Sequence, residues 1–170
     1  MVVLALAVGG CMHANAPSAD EMSRDTAKLE ETALPTMAEL RVNFYRDDGG
    51  CQLVDYGRGV FSSPADSEGN CVLADSPSRP FDEVAAGDFE RMRQAFRDSL
   101  ANTISLAEFQ YGPASDLIAA LVLWEPGAFD EFSYIYDRAE AYSKEADPDT
   151  IAVNRINERW WFFSRERTRW

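Results

Sequence analysis

The clearest pattern in the chain lies in GDFERMRQAFRDSLANT, where Phe89, Met92, Phe96 and Leu100 recur at helical spacing and share one face. Asp88 is placed to cap the start of that helix and Asn102 to end it. Elsewhere the pattern is that of strands. Gln52–Tyr56 and Val60–Ser63 are β-rich runs on either side of Gly57-Arg58-Gly59, which predicts a hairpin. Ile104–Tyr111 reads as a further strand. Leu117–Trp124 is apolar throughout, so periodicity alone does not separate a central strand from a buried helix. The turn chemistry of Glu125-Pro126-Gly127 favours the strand. Phe132–Tyr136 alternates, with Phe132, Tyr134 and Tyr136 on one face and Ser133, Ile135 and Asp137 on the other. After an acidic loop around residues 144–150, RINERWWFFSRERTRW gives a final strand that is apolar on both faces, hence central or covered on both sides. The expected class is α+β, an antiparallel sheet of about five to six strands packed on one main amphipathic helix. No internal repeat is visible.

Two capping-box spacings precede this body, Ser18-Ala-Asp-Glu21 and Thr36-Met-Ala-Glu39, with Pro35 expected to separate two helices. Further back, residues 2–8 form an apolar run too short to span a bilayer but long enough for the core of a signal peptide. Two cleavage sites compete. Ala14-Asn15-Ala16 has the A-x-A form but would leave Pro17 first. Val8-Gly9-Gly10-Cys11 resembles the lipobox of bacterial lipoproteins, and this reading is preferred. No Lys or Arg precedes Arg24, where such a signal usually opens with one. The resemblance implies a lipid on Cys11, attachment to an envelope membrane, and a periplasmic or extracellular location. It also divides the chain into a signal segment (1–10), a polar, partly helical tether (11–35) and one α+β domain (36–170). With Cys11 set aside, Cys51 and Cys71 remain, and in an exported protein such an even pair reads as a disulfide.

The net charge of −13 changes the picture of partners. An acidic body repels a phosphate backbone, so nucleic acid is a poor ligand, while a basic protein partner suits it. Only the last seventeen residues reverse the sign, with Arg155, Arg159, Arg165, Arg167 and Arg169 against Glu158 and Glu166. The single histidine is His13, in the expected tether, so no Ser-His-Asp or Cys-His arrangement is available to the domain. There is no HExxH, Walker loop or GxGxxG, and neither DSEGN at 66–70 nor DPDT at 147–150 has EF-hand spacing. No metal, cofactor or catalytic residue is therefore assigned. A carboxylate-based hydrolase, drawing on Glu125, Asp130, Glu131 or Asp137, stays open as a third reading. Among the aromatic residues, Tyr134, Tyr136, Trp160 and Trp170 are candidates for a binding surface, since Tyr and Trp beside Arg make interface hot spots.

The helix, then FSYIYD, then INERWWFF is loosely similar to small immunity proteins of bacterial toxin systems. That resemblance implies an acidic surface that blocks a basic toxin or enzyme. The leading expectation is a membrane-anchored envelope lipoprotein with a non-catalytic binding or structural role, and an immunity or inhibitor protein is the alternative.

Overall fold

The computed structural model describes residues 15–63, 71–73, 76–126, 130–140, 142 and 150–166. Nine strands form one sheet: β1 (Phe44–Asp47), β2 (Gln52–Tyr56), β3 (Gly59–Ser62), β4 (Arg79–Pro80), β5 (Leu106–Tyr111), β6 (Leu117–Trp124), β7 (Asp130–Asp137), β8 (Thr150–Arg155) and β9 (Trp160–Glu166). Their order is β4-β3-β2-β1-β5-β6-β7-β9-β8, and every pairing except β3–β4 is antiparallel. Two meanders, β1–β2–β3 and β5–β6–β7, are thus joined through the β1–β5 pair. The class is α+β as expected, but the sheet is larger than five or six strands.

Three strands escape the sequence pattern for physical reasons. β1 has only four residues, two of them charged, yet it sits between β2 and β5, with Arg93 of the opposing helix donating to Asp47 at 2.8 Å. β4 is two residues long. β8 is hidden by the INER stretch, which is a turn and not strand. There the Asn157 side chain accepts from the N–H groups of Arg159 and Trp160, so the last strand begins at Trp160. The ambiguous Leu117–Trp124 is a strand over its full length.

Helices cover one face of the sheet, and there are two rather than one. The first opens at Ser18, whose side chain and that of Glu21 satisfy each other's backbone N–H groups. It runs through α1 (Ala19–Lys28), a π-helical turn (Leu29–Ala33) and α2 (Leu34–Leu40) without interruption. Pro35 does not divide it. The N–H of Leu34 reaches back to the carbonyl of Leu29, and this widened turn shifts the hydrogen-bond register just before the proline, where a regular helix would meet a ring clash and lose a bond. Thr36 is accordingly inside the helix, its hydroxyl donating to the Thr32 carbonyl, and caps nothing.

Met22, Leu29, Ala33, Leu34 and Met37 of this helix are buried in the main core. The stretch from 19 to 35, read from sequence as tether, is therefore an integral layer of the domain, and any free linker ends at Ser18. The second helix, α3 (Glu83–Ser99), starts six residues earlier than the pattern suggested. Asp82 caps it by accepting from Ala85 N–H at 2.7 Å, while Asp88 lies inside it and accepts from the Tyr56 hydroxyl at 2.8 Å. Phe89, Met92, Phe96 and Leu100 do share the core-facing side. Among the described residues no helix is long and apolar enough to cross a membrane.

Candidate functional site

The residues chosen as a binding surface are mostly interior. Tyr134 and Trp160 are fully buried and Tyr136 nearly so. They belong to an aromatic layer in which Trp124 contacts Phe132, Tyr134 and Phe162, and Trp160 packs edge-on against Tyr134 and at 5.2 Å from Tyr136. Alternation along β7 and β9 aims all of these rings at the helices, and the other face is occupied as well. Ser133, Ile135 and Phe163 are buried there, which is why β7 and β9 read as apolar on both sides. Trp170 lies outside the described residues, as does Cys11.

What the sequence did not reveal is how this layer handles its polar atoms. The Tyr134 hydroxyl donates to Asp25 at 2.9 Å, and the Trp160 indole N–H donates to Glu30 at 2.7 Å. Both acceptors belong to the N-terminal helix, five residues apart on the side facing the sheet. Burial, reinforced by the Asp25 charge, pushes the Tyr134 phenol far above the ordinary tyrosine range, so it stays a neutral donor. Arg159 reaches Glu30 from the solvent side at 3.8 Å. Aromatic donors on the sheet and carboxylates on the helix thus form a polar seam that fixes the helix in one register. The sequence did carry a signal for the buried face of this helix, Met22, Thr26, Leu29, Ala33 and Met37 at spacings of three and four, interrupted to the eye by Pro35.

Two of the four carboxylates weighed for hydrolysis make structural contacts. Asp137 accepts from the N–H groups of Ala139 and Tyr142 as the chain leaves β7, and Glu131 pairs with Arg165 at 3.4 Å. The helix arginines are likewise engaged: Arg93 bridges Asp47 and Glu90, Arg97 approaches Glu90, and Arg91 pairs with Glu39. Among the described residues no three His, Cys, Asp or Glu side chains converge in a way that could hold a metal ion.

Cys51 and Cys71 form the disulfide that export implied. Both are buried, and with Leu53, Phe44 and Leu73 they make a second small core on the sheet face away from the helices. The bridge ties the start of β2 to the segment leading toward β4. Asp48 organises the approach to it, accepting from Cys51 and Gly50 N–H and from Arg46, and these bonds outweigh its desolvation and hold its carboxyl below the usual range. At the other end of the β2–β3 hairpin, Arg58 makes a two-pronged contact with Asp82, and Arg79 stacks on Phe61 at 4.6 Å.

The grooves are shallow. One of about 380 Å³ lies between Ser23, Thr26 and Ala27 of the first helix and the Asn157–Arg159 turn. A second, of about 330 Å³, lies where the chain comes in, with Ala16 and Pro17 beside Ala101, Trp124, Pro126 and Phe132. Charged side chains line both, Glu30 and Arg159 in the first and Glu21, Arg24 and Asp25 in the second, and several of them are already engaged with one another or with the aromatic layer. In comparisons with known proteins, no protein family, no curated protein sequence and no solved structure matches this chain.

Proposed function

We propose that the protein is an envelope lipoprotein, anchored through a lipid on Cys11, whose α+β domain serves a non-catalytic binding or structural role. The observation that carries this reading is the buried Cys51–Cys71 disulfide. Such a bridge persists in an oxidising compartment outside the cytosol. It also leaves Cys11, behind its apolar run and Val8-Gly9-Gly10, as the one cysteine outside the bridge. The acidic domain is suited to a basic protein partner rather than to nucleic acid.

The fold sharpens the geometry of this reading. With Ser18 capping the first helix, only Met12–Ser18 separates the anchored residue from packed structure. Fully extended, those residues span about 25 Å, so the domain works close to the membrane that holds it. The test is mass spectrometry of the N-terminal peptide from protein recovered from native membranes. A lipid-modified Cys11 at the new N-terminus is expected, together with release of a Cys11→Ser variant into the soluble fraction. An unmodified chain that still contains residues 1–10 would overturn the proposal.

A further inference from the structure

We draw no further inference here: the strongest candidate, the helix-free face of the sheet, where Leu106, Leu121, Leu123 and Trp161 stand half-buried beside Ile135 and Phe163, is an apolar face for which nothing in the structure shows what covers it.

Discussion

Replacing Asp25 with alanine tests whether the aromatic layer is core or interface. Tyr134 is fully buried, and its hydroxyl has the Asp25 carboxylate as partner at 2.9 Å. Removing that acceptor leaves a buried donor with neither protein nor water to bond, a cost of about 1–3 kcal/mol. Alanine's better helix propensity returns up to about 0.5 kcal/mol, so the net loss is about 1.5 kcal/mol. In a chain of this size that lowers the Tm by about 3–6 °C. Tyr134→Phe removes the donor together with its desolvation cost, and Asp25, only partly buried, regains water; its cost is about 1 kcal/mol. The double variant should cost little more than the worse single one, giving a coupling of about 1 kcal/mol in a double-mutant cycle. Urea unfolding followed by circular dichroism, with m-values compared to confirm an unchanged unfolding reaction, measures all four corners. Additive effects, or an Asp25→Ala variant as stable as the parent, would refute the reasoning. The hydroxyl would then be reaching water, and Tyr134 would be accessible in the way the sequence pattern alone suggested.

Two further outcomes follow from the same geometry. The Cys51–Cys71 bridge, with a sequence separation of 20, contributes about 3 kcal/mol by restricting the unfolded chain, so a Cys51→Ala/Cys71→Ala variant loses about that much in urea unfolding, and added reductant lowers the parent's Tm but not the variant's. For pH, Glu21, Asp48 and Asp82 are all held below their ordinary values, chiefly by hydrogen bonds from Ser18, from Arg46 and Cys51, and from Ala85 and Arg58. A depressed folded-state pKa gives stability that is present above the unfolded value and lost as pH falls through the folded one, so acid destabilisation begins below about pH 4. Burial pushes Tyr111 up to about 12; a raised value gives stability intact below the unfolded value near 10 and lost as pH climbs toward 12. Thermal melts across pH 2 to about 12 should therefore show a plateau between those limbs, and a steep loss already at pH 6 or 9 would contradict these contacts.

How much of this was legible in the sequence depended on whether a segment carried its signal locally. β2, β3, β6, β7 and the core face of α3 each show their own periodicity over several residues, and the structure places all of them where that pattern put them. The first helix failed the same reading because proline ordinarily ends a helix. The π-helical turn that admits Pro35 is a backbone adjustment with no side-chain signature. The Asp25–Tyr134 and Glu30–Trp160 bonds join residues more than a hundred positions apart, and nothing in either partner's neighbourhood announces the other. The aromatic cluster was visible as a cluster. Its burial was not, because Tyr and Trp serve cores and interfaces equally well, and only the position of the helix decides between them.

That helix also orients the molecule. It begins beside Ala101, Trp124 and Pro126 and ends at the turns, where Leu40 accepts from Gly57 N–H and Arg41 donates to the Ser115 carbonyl. From Ala19 to Leu40 it spans about 33 Å. β9 leaves the sheet at the same end at which the chain comes in, since Glu166 lies opposite Asp130. A lipid on Cys11 would hold that end against the bilayer within the short reach of Met12–Ser18, and would turn the Gly57–Gly59 and Gly112–Asp116 turns outward. A protein partner meeting the anchored domain from the aqueous side would then meet those turns, with Arg41, Arg58 and Arg138 among them, before the acid-rich start of the helix at Asp20, Glu21 and Asp25. The net charge argues for a basic partner, and at the end turned outward acids stand beside the arginines, with Asp82 against Arg58 and Asp116 in the Gly112–Asp116 turn. A basic partner approaching from the helix layer would meet further acids, among them Asp20, Glu21 and Glu31 on the exposed side of the first helix.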